Sequence, residues 1–335
     1  VCSPGRGQYD PAVSLFREYL QLKTVHPEPD YDAALKFLTR ISEELGLPMK
    51  NIEVCPGRVV TIITWTGTNP AVKSVLLNSH TDVVPVYQEH WKYDAFAAVK
   101  DAEGNIYGRG TQDMKSVTIQ YIEAIRRLKA AGKRFPRTIH LSFVPDEEVG
   151  GHKGMETFIN HPEFQKLNVG FALDEGLANP TEAFTVFYGE RNPWCKCPVL
   201  IIYLFVCIYI CEFEEQIKAW CAEAGEGITY KFAQKFMHQN TTSTEDSDPW
   251  WNAFSSTCKA MNMTLQKEIF PAATDSRFIR AAGLPAIGFS PMNCTPILLH
   301  DHNEFLNEGV FLRGITVYER LLLTLASVAP QKGEE

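Results

Sequence analysis

Histidine and acidic residues recur in this sequence where short apolar runs end, a placement that suits a hydrolytic metal site. His80-Thr81-Asp82 follows the run Ser74-Val75-Leu76-Leu77-Asn78-Ser79, Glu147-Glu148 follows the run ending at Val144, and Asp174-Glu175-Gly176 follows Leu173. Asp113 stands where a helical pattern begins, a position that favours a carboxylate electrostatically. His300-Asp301-His302-Asn303-Glu304 adds nitrogen and oxygen donors late in the chain. Each of these is weak alone: a single histidine at a strand end is usually structural, paired glutamates usually form a solvated face, and Asp at a helix start is usually a cap. Together they carry more weight. Imidazoles and carboxylates without thiolate suit zinc, manganese or cobalt in a hydrolytic site. A bridging carboxylate can hold two ions about 3.5–4 Å apart, which clamp both water and a scissile carbonyl.

The elements that must position these groups are legible as periodic patterns. Met114, Val117, Tyr121, Ile125 and Leu128 recur at spacings of three and four, which predicts an amphipathic helix over 114–128. Strand-like runs occupy 74–79, 138–144 (with Ile139, Leu141 and Phe143 on one face), 169–173 and 283–289, and 308–328 reads as a closing helix. Short apolar strands alternating with helices indicate an α/β sheet covered by helices on both faces. In open sheets of this class sites lie outside the carboxyl ends of the strands, so the groups at His80, Glu147-Glu148 and Glu175 can converge.

Composition narrows the function classes. The chain has 335 residues, 45% hydrophobic and 21% charged, with a formal charge of -8, ordinary values for a globular protein that can bury a large core without disulfides. The acidic balance argues against nucleic acid as a partner, since a phosphate-binding surface needs a clustered basic face. No apolar leader opens the sequence, and nine cysteines without a C-x-x-C suggest a reducing, cytoplasmic setting.

One segment stands apart. Pro198 to Ile210 is thirteen uncharged residues flanked by Cys197 and Cys211. A transmembrane helix needs about 20 apolar residues, so no membrane span is expected, and thirteen is long for a strand.

Three strings in order narrow the reading further: Ser79-His80-Thr81-Asp82-Val83-Val84-Pro85, Gly108-Arg109-Gly110-Thr111-Gln112-Asp113-Met114-Lys115 and Pro145-Asp146-Glu147-Glu148-Val149-Gly150-Gly151. They resemble the metal-site motifs of the dizinc amidohydrolases of the aminoacylase/carboxypeptidase (M20) family. The resemblance extends to Leu173-Asp174-Glu175-Gly176, Pro271-Ala272-Ala273-Thr274-Asp275-Ser276-Arg277 and Leu298-Leu299-His300-Asp301-His302, and covers roughly 9–194 and 213–330. It implies a zinc-peptidase-like mixed sheet and two Zn2+ per subunit, for which Co2+ or Mn2+ can substitute. His80, Asp113 and Glu175 would hold one ion, with Asp113 bridging to a second completed by Glu148 and His300. His300 is preferred to His302 because the family pattern continues with Asn303 and Glu304. Glu147 would be the general base that takes a proton from water and returns it to the leaving amine. Asp82 would orient the imidazole of His80. Glu rather than Asp at 175 goes, in the family, with carboxypeptidase- or aminoacylase-type members, so a free substrate carboxylate is expected; Arg277, with Thr274 nearby, would bind it.

The resemblance also implies what is missing. Family members carry, between the two catalytic halves, a lid or dimerisation domain through which they form homodimers. It supplies a Gly-His motif whose histidine reaches a partner's site to stabilise an oxyanion. Here Gly151-His152 is the sole Gly-His pair and lies in the catalytic half. The expected organisation is therefore a discontinuous catalytic domain, 1–194 plus 213–335, interrupted by an anomalous cysteine-rich segment, 195–212, with the lid absent or vestigial. Translated non-coding sequence at a lost exon junction, or an aberrant splice product, explains that segment better than an evolved element. Loss of one oxyanion donor costs about 10²–10³ in turnover, so impaired activity is expected.

The leading expectation is zinc-dependent hydrolysis of N-acyl-L-amino acids to a free amino acid and a carboxylate, in amino acid metabolism. The alternatives are a dipeptidase or carboxypeptidase of the same family and, from another class, an inactive isoform that binds or modulates a partner.

Overall fold

The computed structural model describes residues 10–196, 204–206, 210–230 and 232–334. Its centre is an eight-stranded mixed sheet in the order Met49–Cys55, Arg58–Trp65, Ile139–Val144, Ser74–His80, Val169–Asp174, Ala286–Phe289, Phe184–Glu190, Leu265–Phe270. Four neighbours in the middle, from Ile139–Val144 to Ala286–Phe289, run parallel. Antiparallel pairing begins at Arg58–Trp65 on one side and Phe184–Glu190 on the other. This is the α/β sheet expected from the sequence.

The central strands are buried at every position, as parallel strands covered on both faces must be. Alternation sorts their side chains. Val75, Leu77, Phe171 and Leu173 pack with the helices Pro11–Leu20, Tyr31–Leu45, Lys115–Ala130, Pro249–Ala260 and Glu308–Leu325. Leu76 and Ala172 point the other way, into a smaller core with Phe158, Phe164 and Ile279 from short helices. Trp250 and Trp251 are both buried, and Trp250 stacks on Phe171 with ring centroids 5.3 Å apart.

His140 gives this core a pH dependence. Its Nδ1 lies 2.9 Å from the Thr64 hydroxyl and its Nε2 3.2 Å from the Leu167 carbonyl, an arrangement that suits the neutral ring with Nε2–H donating. Burial pushes its pKa down to about 4. The folded state therefore binds fewer protons than the unfolded chain between about 6.5 and 4, and stability falls as pH falls through that window. His140→Gln is expected to flatten the dependence by on the order of 3 kcal/mol, read from urea midpoints at pH 7 and pH 4. Equal slopes in both proteins would refute this.

Two smaller sheets flank the main one. Val99–Lys100, Asn105–Tyr107 and Phe305–Asn307 form one, pairing Tyr107 with Phe305 and Asn105 with Asn307. Asn192–Lys196, Leu204–Val206 and Phe232–Lys235 form the other, with the helix Ile210–Ala224 between the last two in sequence. The anomalous stretch of 195–212 thus contributes strand residues at 195–196 and 204–206 and the start of a helix, while 197–203 and 207–209 lie outside the described residues. Among the described residues no helix is long and apolar enough to cross a membrane.

Candidate active site

The parallel strands end side by side, and their carboxyl ends deliver the acidic groups to one place. His80 is the last residue of its strand, Glu147-Glu148 follow Val144 by a three-residue step, and Glu175 follows Asp174. Glycine permits the close packing at the last of these: a Cβ on Gly288 would lie 2.5 Å from the Glu175 carbonyl oxygen. Asp113 arrives from the loop preceding the helix Lys115–Ala130. It does not cap that helix; Met114 occupies the cap position without a side-chain bond.

Asp113 is instead shared by two histidines. His80 Nε2 lies 2.8 Å from its Oδ1, and His300 Nε2 lies 3.0 Å from its Oδ2. Glu175 Oε2 approaches His80 Nε2 at 3.4 Å, and Glu148 Oε2 lies 3.0 Å from His300 Nε2. Among the described residues two ligand groups result, His80–Asp113–Glu175 and Asp113–Glu148–His300, with all donor atoms of each within 4.8 Å of one another. All of these are buried or nearly so except His300, whose side chain is half exposed.

The chemistry of this donor set fits divalent cations. His80 Nδ1 bonds the Asp82 backbone carbonyl at 2.9 Å, which turns Nε2 toward the carboxylates, the tautomer a ligand needs. Glu148 Oε1 is buried without a hydrogen-bond partner. The charges tell the same story. Burial opposes ionisation of Asp113, yet His300 and His80 hold it well below the usual carboxylate range. Burial and the neighbouring Asp113 drive Glu175 well above that range and raise Glu148. His80 stays well above an ordinary imidazole despite burial, because Glu175 and Asp113 face it. Such a cluster attracts positive charge.

Glu147 sits beside this centre but in neither ligand group. It is buried, with Oε1 4.0 Å from Arg277 Nη1, and burial pushes its carboxyl well above the ordinary range. Arg277 is buried too. Nη1 donates to the Thr274 carbonyl and Nη2 to the Gly150 carbonyl, both at 2.9 Å, while Nε has no hydrogen-bond partner. The Thr274 hydroxyl donates to Glu190 Oε2 at 2.7 Å and accepts from the Ser276 amide. That side chain is therefore occupied within the loop that carries Arg277.

Asp82 has a different reach from the one its spacing suggested. Its backbone carbonyl, not its carboxylate, makes the close contact with His80; Oδ1 stays 3.8 Å from Nδ1. The carboxylate accepts the amides of Glu147 and Glu148 at 3.2 and 3.1 Å and pairs with His26 Nε2 at 2.8 Å. Burial lowers the affinity of His26 for a proton, but Asp82 more than restores it. Asp146, at φ 61° immediately before Glu147, is gripped by Tyr31 Oη at 2.7 Å and Arg58 Nε at 2.6 Å. His26, Tyr31 and Arg58 went unread in the sequence because they meet their partners across 56 to 115 residues. His302, the histidine not chosen, packs against His90 with centroids 4.8 Å apart. His152 lies exposed and pairs with Glu156 one helical turn on.

Known proteins resemble this chain in sequence and in fold. Residues 76–324 match the family described as Peptidase family M20/M25/M40. Aminoacylase-1A of Rattus norvegicus is 52% identical over 397 aligned residues, spanning 97% of this chain and 97% of that protein. Since 97% of 335 residues is about 325, roughly 70 positions of that alignment carry no residue of this chain. Among solved structures, the M20 family metallo-carboxypeptidase Sso-CP2 from Sulfolobus solfataricus shares the fold at a TM-score of 0.76 and 14% identity, covering 95% of this chain and all 100% of its own. The YXEP protein of Bacillus subtilis, a dinuclear metal binding peptidase, does so at a TM-score of 0.63 and 13% identity, covering 95% and 98%.

Proposed function

Because the chain belongs to the M20/M25/M40 peptidase family, we propose that the centre around Asp113 is a two-zinc site that cleaves N-acyl-L-amino acids. The chain is an amidohydrolase, and hydrolysis of N-acyl amino acids is its reaction. The observation that carries the site assignment is the sharing of Asp113 between two three-residue ligand groups, with Glu147 a member of neither but interacting electrostatically with His80 of one and Glu148 of the other. The imidazole and carboxylate donors favour zinc, and Co2+ or Mn2+ can replace it. The free cysteines Cys55, Cys221, Cys258 and Cys294 accord with a cytoplasmic setting.

In this reading His80, Asp113 and Glu175 hold one ion and Asp113, Glu148 and His300 the other. Bound there, the ions supply Lewis acidity toward the scissile carbonyl and toward water. Glu147 accepts the proton of the attacking water and delivers it to the leaving nitrogen; its raised pKa suits both halves of that exchange. Asp82 fixes Glu147 and Glu148 through their backbone amides. Arg277, with an unpaired Nε, receives the substrate carboxylate, and Thr274 holds its loop through Glu190. The roughly 70 absent positions support a lost lid and reduced turnover.

The test is hydrolysis of N-acetylmethionine by the purified chain, with metal content measured on the same sample and a panel of dipeptides alongside. Turnover of the N-acetyl substrate with bound zinc is expected. Preference for dipeptides would move the assignment to a dipeptidase or carboxypeptidase, and bound zinc without turnover would favour an inactive, partner-binding role. Arg277→Ala should raise KM for N-acetylmethionine by about 10–100-fold, the worth of a charge-assisted hydrogen bond. The carboxamide of the same substrate should be hydrolysed equally by both proteins. An equal loss on both substrates would contradict the carboxylate-binding role.

A further inference from the structure

We infer that Glu304 is a positioning residue for the two-ion centre: it locks the Asp113 loop to the His300 loop and so sets the bridging geometry. The inference rests on the two-zinc reading and adds to it a residue that belongs to neither ligand group.

Glu304 is fully buried, and an acid in that position needs several donors to stay there. It has four. Oε1 accepts the backbone amides of Gln112 and Asp113 at 2.7 and 3.3 Å, and Oε2 accepts the Gly110 amide at 3.0 Å and Arg109 Nη1 at 2.9 Å. Three of these donors are main-chain amides of the segment that ends in Asp113, so the carboxylate acts as a mould for that backbone.

The contacts between the loops are not limited to this carboxylate. Arg109 Nη1 also donates to the Asp301 carbonyl at 3.1 Å, and the Gly108 amide donates to the Glu304 carbonyl at 3.0 Å. The Gln112 side chain donates to the Pro296 and Phe305 carbonyls and accepts from the Leu298 amide. The pairing of Asn105–Tyr107 with Phe305–Asn307 sets both loops off from one ladder. His300 lies four residues before Glu304, and its Nε2 must stay 3.0 Å from Asp113 Oδ2. Glu304, paired with Arg109, links both sides of that contact.

A bridging carboxylate tolerates displacement poorly, since catalytic constellations need roughly 0.5 Å accuracy. Shifting Asp113 weakens whichever ion it no longer reaches. Glu304→Gln replaces one acceptor oxygen with a donor amine facing either N–H groups or the Arg109 guanidinium, with no change of size. Glu304→Asp keeps the charge but withdraws it by one methylene.

The experiment strips the purified chain with a chelator and titrates it with Zn2+, reading stoichiometry and the two dissociation constants. The folded state is monitored by circular dichroism. Wild type should take up two ions. Both Glu304 variants should bind the first nearly normally and the second about 10–100-fold more weakly, the usual effect of losing an outer partner of a ligand. Glu334→Gln, which breaks the remote buried pair with Arg137, controls for general destabilisation and should keep two-ion binding. Unchanged second-ion affinity in a folded Glu304 variant overturns the inference, as does an equal loss in Glu334→Gln. Failure of wild type to bind a pair of ions overturns the two-zinc reading itself, and the inference with it.

Discussion

Glu147→Gln lowers kcat for N-acetylmethionine by about 10²–10⁴-fold, the contribution of a positioned general base, while both ions stay bound. The geometry separates the two readouts. Glu147 supplies no atom to either ligand group, so its replacement leaves the cations their full set of donors. Its carboxyl is buried, and its charged neighbour Arg277 stands 4.0 Å away. Glutamine fills the same space and can still hydrogen-bond, but it cannot take a proton. The pH profile gives a second check. Burial raises the Glu147 carboxyl, against the pull of His80 and Arg277; a base must be unprotonated to act, so activity falls as pH drops through that raised value. Bound cations will pull the value down, and the acidic limb of kcat/KM reports where it settles. That limb should vanish in the glutamine variant. Turnover within tenfold of wild type at full metal content would remove Glu147 from the mechanism.

The parts of this architecture that sequence made legible are those written in local pattern. The strands ending at His80, Val144 and Asp174 are short, mostly apolar runs buried throughout because both of their faces are covered, and the 114–128 periodicity matches the helix Lys115–Ala130. The edges of the sheet were harder. Met49–Cys55 and Leu265–Phe270 carry exposed residues on both faces, so their apolar signal is diluted by Lys50, Asn51, Glu53, Lys267 and Glu268. The helices Pro11–Leu20 and Tyr31–Leu45 have clear apolar stripes and Asp caps but carry no motif of chemical groups. His26 and Tyr31, between and within these helices, steady Asp82 and Asp146.

Asp82 illustrates the limit of spacing arguments. A residue two after a histidine on a strand end can reach the ring with its carboxylate or with its carbonyl, and sequence does not distinguish them. The carbonyl makes the bond, which releases the carboxylate to collect the Glu147 and Glu148 amides. Glu304 is a similar case. It was visible only as the end of a motif, while its contacts with the 109–113 backbone span about 190 residues of chain.

The interrupted region links the intact centre to the question of rate. Both ligand groups, Glu147 and Arg277 come from segments outside 195–212, and the main sheet closes around that interruption through the parallel pairing of Phe184–Glu190 with Leu265–Phe270. On the two-ion proposal, metal binding draws on no residue of 195–212. If the roughly 70 positions of the rat alignment that carry no residue of this chain supplied groups that meet the substrate, intact metal affinity combined with low kcat is the expected pattern.

Asp113→Ala should release both ions at once, with the loss of all measurable hydrolysis. Each ligand group has three residues and shares this one, so its removal leaves His80 with Glu175 and Glu148 with His300. Catalytic zinc sites ordinarily use three protein ligands, and two donors on each side fall short. His300→Ala provides the contrast, because it strips one donor from one group and leaves His80, Asp113 and Glu175 complete; it should retain one ion per chain. The comparison also has a stability readout. Ligands that bind only the folded state raise its stability by mass action, so added Zn2+ should raise the melting temperature of wild type most, of His300→Ala less, and of Asp113→Ala hardly at all. Without metal the order can reverse. Asp113 faces the acidic groups of Glu148 and Glu175, whose carboxyls it raises, but it is also the charge that both histidines lean on. Its replacement removes repulsion and attraction together, so the metal-free melting temperatures report which of the two dominates. Two ions retained by Asp113→Ala would show that neither ion depends on the carboxylate, and its assignment as the shared ligand would fall.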